Sequence, residues 1–452
     1  MPLKKDVIVV GAGMAGLRTA QLLRQQGISV EVLEARNRVG GRIYTTQVAG
    51  TAFDLGGQWV GPQQVRLLKL ADELGIKTYP QYHQGTKILS WQGKQRRFRG
   101  EVPWLSPLAM YELWRLERFT KKVCSQIPPD APWNTPEAKA WDGQTLEAWK
   151  QQFFRSKGAK LFLDIVARAV CTTEPGELSL LYFLSYLRWG NGLNTLISIP
   201  NGAQQDRFVG GVQPLCQRLA DELGQHLHLE TTVLSIRQTD QDVIVHTNQN
   251  EYTAQRVILA IPPILAGDIS YEPALPIERH QLTKHMPMGS VIKYVAVYDR
   301  PFWREKGFSG EAFCDSGPCV TTFDGCTSTG TPALVTFSDG AVAREYAAKT
   351  PEERKDAVLK QFSELFGPEA DKPVAFAEQN WLAEAWGRGC YAGVMGPGVM
   401  TAWGPSLAAP CGRIHWAGTE TATQWMGYIE GALQSAERVT QEVLPMLRQA
   451  AG

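Results

Sequence analysis

The sequence predicts an α/β fold in which both ends of the chain complete one discontinuous domain and its insertions build a second. Three observations carry that expectation. A strand–helix–strand unit opens the chain, alternating strands recur near its middle, and a strand–turn–helix closes it.

The opening unit begins with "DVIVV" (6–10), a short β-branched apolar run of the kind found in buried parallel strands. "GAGMAG" follows, then an apolar-periodic helix that stops at Gly27, and "ISVEVLEA" (28–35) reads as the second strand. Residues 103–187 read mostly as helices with proline-rich breaks at 126–137. Strand alternation returns over 227–261 and again in "SVIKYVAVYD" (290–299). A well-signalled helix spans 350–368, with Thr350 as N-cap, Pro351 at the first turn, Glu353 three residues on and Gly367-Pro368 as the stop. "RIHWAGTET" (413–421) is strand then turn, and "YIEGALQSAERVTQEVL" is the closing helix.

Composition excludes several classes. Of 452 residues, 44% are hydrophobic and 20% charged, the balance of a globular chain with a sizeable core. The net charge of +1 steers the chain towards neither nucleic acid nor an anionic membrane. No secretory leader opens the chain, and no apolar run is long enough to span a bilayer. Eight scattered cysteines without a CxxC pair point to free thiols and a cytoplasmic location. His226 and His228 lie two apart but have no evident third ligand, so no metal site is expected.

Gly11, Gly13 and Gly16 match G-x-G-x-x-G in its required setting, a strand before and a helix after. The first permits the tight turn, the second lets backbone approach a pyrophosphate, and the third lets the helix pack on the strand. Glu34 ends the second strand, where its carboxylate can accept from ribose hydroxyls and repel a 2′-phosphate. The unit is therefore Rossmann-like. Arg36 follows beside the adenosine, and Gly40-Gly41-Arg42 adds a second glycine turn with a fixed cation for the same pyrophosphate. "DLGGQWVG" (54–61) contributes Gly56 and Gly57 where backbone can near a ring system. Gly418-Thr419-Glu420 lies at the far end of the chain. A nicotinamide domain does not need these additions, whereas a flavin dinucleotide is long enough to use contacts from both ends.

With these stretches in place, the sequence resembles the flavin-dependent amine oxidases of the monoamine oxidase family. The resemblance rests on "VIVVGAGMAGL", "VLEARNRVGGRI", "DLGGQWVGP", "RFVGG", "LAIPP", "MGSVIKY", "PFWR", "NWLAEAWGRGCY" and "AGTETATQWMGYIEGA", in family order from residue 7 to about 440. It implies a FAD domain from segments 1–85, 205–288 and 386–452. It implies a substrate domain of mixed sheet and helices from 86–204 and 289–385. It extends the flavin-contacting set to Ala15, Ala35, Gln58, Trp59, Val233, Trp381, Gly427 and Ile429. The reaction implied is oxidation of an amine to an imine, with hydrolysis to an aldehyde and reoxidation by O2 to hydrogen peroxide. The expected partners are thus a small-molecule amine and O2, with a homodimer as the expected assembly. The chain's last residues carry no counterpart of the mammalian membrane helix, so a bacterial-type relative is expected.

The resemblance also assigns roles. Tyr391 and Tyr428 stand at the positions of two tyrosines that sandwich the amine before the flavin. Facing aromatic rings make a narrow, electron-rich slot. Lys293 matches the lysine that holds a water near flavin N5 and assists the reaction with O2. Strand alternation sets it on one face with Val291 and Val295, where an unpaired lysine is costly to bury. Cys390 matches the cysteine bonded to the flavin in the mammalian branch, although some bacterial relatives hold FAD without a covalent link. The local stretch departs from the family's Ser-Gly-Gly-Cys-Tyr by placing Arg388 at a glycine position. Approximate alignment lines the substrate route with Val170, Cys171, Ile197, Gln204, Phe313 and Thr321, mostly apolar or small. That favours an uncharged aryl or alkyl tail.

Two rivals stay open. A diamine oxidase requires a carboxylate in the channel, with Asp315 or Asp324 as candidates. An L-amino acid oxidase requires an arginine, with Arg168, Arg188 or Arg207 as candidates.

Overall fold

In the computed structural model, which describes residues 5–449, two large sheets divide the chain. The first has eight strands. Lys5–Val10 lies between Val30–Leu33 and Glu251–Leu259 and is parallel to both. Ile414–Trp416 joins Glu251–Leu259, also in parallel. Val7, Ile8 and Val9 are completely buried, as the β-branched run predicts for a strand covered on both faces. Segments hundreds of residues apart thus share one sheet. The remaining strands, Val233–Gln238, Val243–Thr247, Ser270–Glu272 and Leu227–His228, extend it on either side.

The second sheet is mixed and seven-stranded. Its order runs Ala375–Asn380, Val291–Val297, Ala333–Asp339, Thr321–Asp324, Phe308–Cys314, Thr86–Trp91, Lys94–Phe98. Only Phe308–Cys314 and Thr86–Trp91 pair in parallel. Val291–Val297 is flanked on both sides and all seven of its residues are buried, so Lys293 does not sit on an edge. Helices between 107 and 197 pack into their own apolar cluster around Leu163, Phe183 and Leu187.

Local signals hold where chemistry specifies them. Thr350 Oγ1 accepts from the Glu353 N–H (3.2 Å), and the Thr350 N–H donates to Glu353 Oε2 (2.8 Å), closing a reciprocal cap on helix Pro351–Phe366. The second strand is shorter than the 28–35 run suggests. It ends at Leu33, because the Glu34 side chain turns back to accept from the Ala12 N–H (2.7 Å) and the Arg36 N–H (3.0 Å).

Candidate active site

One cavity of about 500 Å³ runs from the glycine turn of the first sheet to the inner strands of the second. At the dinucleotide end, Gly11 has φ +101°, and a Cβ there would lie 2.8 Å from the Ala260 carbonyl. A Cβ on Gly16 would sit 1.9 Å from Gly11 O, so only glycine lets the helix seat against the turn. Gly13 is different: an added Cβ meets protein only at 4.0 Å, leaving its backbone open to the cavity. Ala15, Glu34, Ala35, Gly41, Gly56, Gly57, Gln58, Trp59, Val233, Gly418, Thr419 and Ile429 share this lining.

The residues fit a flavin dinucleotide. Arg36 Nε faces the Glu384 carboxylate at 3.4 Å, and Nη2 is buried without a hydrogen-bond partner, as expected of a donor placed for an acceptor such as phosphate or nucleoside oxygen. Each Glu34 oxygen accepts one backbone N–H and keeps a lone pair for a ribose hydroxyl.

Gly16 of the glycine fingerprint and Glu420 of the far-end turn stand behind the wall. Gly16 packs inward, as just described. Glu420 grips Arg42, with Nη1 at 2.5 Å and Nη2 at 3.1 Å, and also accepts from the Gly393 N–H. Arg42 lines the cavity and donates to the Tyr391 carbonyl at 2.8 Å. Glu420 therefore acts through Arg42. Replacing Glu420 with Gln leaves a cation without its buried partner. The expected outcome is a stability loss of about 3 kcal/mol and weakened flavin retention, checked by thermal melts and by the flavin-to-protein absorbance ratio.

At the other end the cavity meets Lys293, Tyr391, Tyr428, Cys390 and Trp381. The indole of Trp381 donates to the Leu55 carbonyl at 3.0 Å, which fixes it as wall. Lys293 Nζ donates to Gly56 O (2.9 Å) and Gln58 Oε1 (2.5 Å). Burial pushes its ammonium down to about 7; the Asp54 carboxylate opposes that shift and Arg207 adds to it. Asp54 is itself held by the Thr45 hydroxyl (2.5 Å) and the Val212 N–H (2.9 Å). Burial keeps both phenols protonated, with Tyr391 and Tyr428 raised above the ordinary tyrosine range.

Cys390 is buried, and its thiol is pushed up to about 12, with Arg42 and Arg36 pulling against the burial. Its peptide bond to Tyr391 is cis. The Thr172 hydroxyl donates to Cys390 O (2.6 Å) and accepts from the Tyr391 N–H (3.1 Å). Arg388 adopts φ +56°, the left-handed conformation a glycine takes at least cost, and pairs with Asp268 at 2.6 Å. Gly427 (φ +86°) backs Tyr428, and a Cβ there would meet the Tyr186 hydroxyl at 2.5 Å.

The expected substrate-route residues separate. Val170 and Gln204 line the large cavity. Ile197, at the end of short helix Leu193–Ile197, and Phe313 instead line a smaller one. Cys171 and Thr321 are buried in the packing and line neither. The rival anchors are also accounted for. Asp324 is bound by the Trp303 indole (2.8 Å), Arg304 (2.6 and 2.8 Å) and the Cys326 N–H (2.9 Å), while Asp315 accepts from the Gln92 N–H. Arg168 forks onto Glu174. Neither these residues nor Arg188 and Arg207 line the large cavity. His226 and His228 converge on the Glu31 carboxylate, at 3.1 and 2.7 Å, and no metal-binding cluster occurs among the described residues.

Phe337, Asp54 and Thr172 were not visible as site residues in the sequence. Phe337 lies opposite Lys293 in the sheet register, with its ring 5.4 Å from Nζ. Only strand pairing reveals it.

Among the described residues no helix is long and apolar enough to cross a membrane. Residues 14–444 match the family described as flavin containing amine oxidoreductase. The probable flavin-containing monoamine oxidase A of Dictyostelium discoideum is 40% identical over 444 residues, covering 97% of each chain. The flavin-containing amine oxidase B of Sus scrofa is 40% identical over 98% of this chain and 87% of its own. Among solved structures, putrescine oxidase bound to putrescine superposes with a TM-score of 0.94 at 32% identity, over 98% of this chain and 99% of that one. Cyclohexylamine oxidase from Brevibacterium oxydans superposes at 0.93 and 31% identity, over 99% and 100%. The chain is a flavin-dependent amine oxidase, a member of the flavin-containing amine oxidoreductase family.

Proposed function

We propose that the chain oxidatively deaminates primary monoamines with uncharged aryl or alkyl tails, using O2, with Lys293, Tyr391 and Tyr428 as its catalytic residues. The observation that carries this reading is the composition of the large cavity at its tyrosine end. Ala169, Val170, Ala203 and Phe337 stand there beside the two phenols, and its carboxylates, Glu34 and Asp268, are both engaged elsewhere. A charged substrate tail finds no partner at that end. Gly11, Gly13, Glu34, Arg36 and Arg42 would hold FAD, which would supply the hydride-accepting chemistry at the amine α-carbon with O2 as final electron acceptor.

The chain's own residues orient and exclude. The neutral phenols of Tyr391 and Tyr428 hold the amine between ring faces. Gln204 donates through Nε2 to the Leu196 carbonyl (2.9 Å), which leaves its unpartnered Oε1 to accept from the substrate N–H. Lys293 keeps a titratable nitrogen at the site, held by the Gly56 carbonyl and the Gln58 carboxamide. The division into flavin-holding segments 1–85, 205–288 and 386–452 is supported by the first sheet, which draws strands from all three. Eight unpaired cysteines, seven of them buried, support a reducing, cytoplasmic setting.

The test is peroxide release by the purified holoprotein. Phenethylamine is expected to outpace putrescine and L-leucine by at least about 100-fold in kcat/KM, because an unpaired charge buried in the tyrosine slot is costly. Faster turnover of putrescine would move the substrate class to diamines. We also propose that the Cys390 sulfur is bonded to the flavin 8α-methyl carbon, a linkage that replaces the S–H and one methyl C–H with a C–S bond and whose two electrons O2 would take up. Acid-precipitated protein is then expected to stay yellow, and Cys390→Ala to release its flavin to the supernatant. Release from the unaltered protein would show non-covalent binding.

A further inference from the structure

Helix Lys157–Cys171 ends on Thr172, which adopts φ +53° and ψ +35° and is completely buried. Glycine or asparagine is the usual residue in that conformation at a helix end, and a β-branched side chain at positive φ is an outlier that its surroundings must hold in place. Ending the helix therefore does not account for a threonine. What threonine adds is a hydroxyl, and that hydroxyl reaches beyond its own helix.

Its proton lies between two carbonyls, Cys171 O at 2.7 Å and Cys390 O at 2.6 Å, and the same oxygen accepts from the Tyr391 N–H at 3.1 Å. Both polar groups of the peptide that joins Cys390 to Tyr391 thus meet one atom. Neither has another hydrogen-bond partner among the described residues. The surroundings crowd that atom. The Thr172 carbonyl accepts from the Ser290 N–H (2.8 Å), the Cys390 N–H donates to the Gly289 carbonyl (3.0 Å), and a Cβ on Gly289 would lie 1.9 Å from Thr172 Oγ1. The helix end, the approach to strand Val291–Val297 and the Cys390-Tyr391 segment all close on the hydroxyl. Thr172 does not line the large cavity, whereas Cys390 and Tyr391 do.

Resting on the amine oxidase reading above, we propose that Thr172 is a positioning residue for amine oxidation, its hydroxyl clamping the backbone that sets where the Tyr391 ring stands. The Tyr391 backbone is then held at both ends, by Thr172 at its N–H and by Arg42 at its carbonyl (2.8 Å). Loss of the hydroxyl leaves a buried N–H and a buried C=O unpaired, and the segment shifts to find other partners. A displacement of about 1 Å in a ring that orients the reacting amine is enough to slow the chemical step. The effect is confined to reduction of the flavin by amine, because Lys293 takes its hydrogen bonds from Gly56 and Gln58, on other segments.

The experiment is stopped-flow absorbance on the holoenzyme with phenethylamine, with rate constants read per bound flavin so that a smaller folded fraction does not move them. Thr172→Val keeps the branched shape and removes the hydroxyl, whereas Thr172→Ser keeps the hydroxyl. The valine variant is expected to lower the limiting rate constant of anaerobic flavin reduction by about 10-fold or more, and the serine variant to stay within about 2-fold of the unaltered protein. Reoxidation by O2 is expected to be unchanged in both. Thr172→Gly suits the left-handed backbone and serves if the valine variant misfolds. The same slow reduction is expected of it, because glycine replaces without loss a residue needed only to end the helix. Unaltered reduction in the variants that lack the hydroxyl, serine as slow as valine, or reoxidation slowed as much as reduction overturns the proposal. Failure of phenethylamine to reduce the unaltered protein would instead count against the amine oxidase reading.

Discussion

Lys293→Met is expected to slow reoxidation of the reduced enzyme by O2 by about 100-fold, while reduction by amine under anaerobic conditions changes only a few-fold. The side chain is nearly inaccessible, sits on an inner strand and donates to two acceptors, the Gly56 carbonyl and the buried Gln58 carboxamide. Methionine fills similar volume, so packing is kept and the titratable nitrogen is lost. Positive charge there stabilises negative charge developing on oxygen. The pH dependence follows with its sign. The ammonium is pushed down to about 7, so it is present below that pH and lost above it. The reoxidation rate constant is expected to fall as pH rises through the lysine's pKa, and to be flat in the methionine variant. Double-mixing stopped-flow absorbance measures both. A variant that reoxidises at the unaltered rate would remove Lys293 from the oxygen chemistry.

Asp324→Ala is expected to cost about 4 kcal/mol of stability with little change in the amine preference of whatever protein folds. The carboxylate is 1% exposed and accepts from an indole, a guanidinium and a backbone N–H. Removing it leaves the buried Trp303 N–H unpaired and strips Arg304 of its partner. Denaturant unfolding followed by tryptophan fluorescence reads the loss. A change below about 1 kcal/mol would contradict the account of this knot. A selective loss of diamine turnover would return Asp324 to the role of substrate anchor.

Local chemistry made the dinucleotide end legible. The strand before Gly11, the turn, the helix after it and the acid at Glu34 are all near neighbours in sequence, and each residue's task follows from backbone sterics or charge. Lys293 was legible through the "MGSVIKY" stretch that resembles the family, while strand alternation grouped it only with Val291 and Val295, which are buried with it. What lay hidden depends on pairings across long stretches of chain. The Arg42–Glu420 grip joins residues 378 apart, and nothing local distinguishes a glutamate that touches a cofactor from one that holds the arginine that does. Phe337 enters the site only because its strand registers against Lys293. Ile197 and Phe313 carry the apolar character expected of a substrate route. The short helix after Gly192 and the order of strands in the mixed sheet place them in a separate chamber.

The central claim is that an amine held between Tyr391 and Tyr428 reduces the bound flavin. Anaerobic addition of phenethylamine to the purified holoprotein, followed by visible absorbance, tests it most directly. The account predicts bleaching of the flavin bands by phenethylamine, slowed by about 10-fold or more in Tyr428→Ala, with L-leucine leaving the spectrum unchanged. A yellow protein that phenethylamine does not bleach would contradict it.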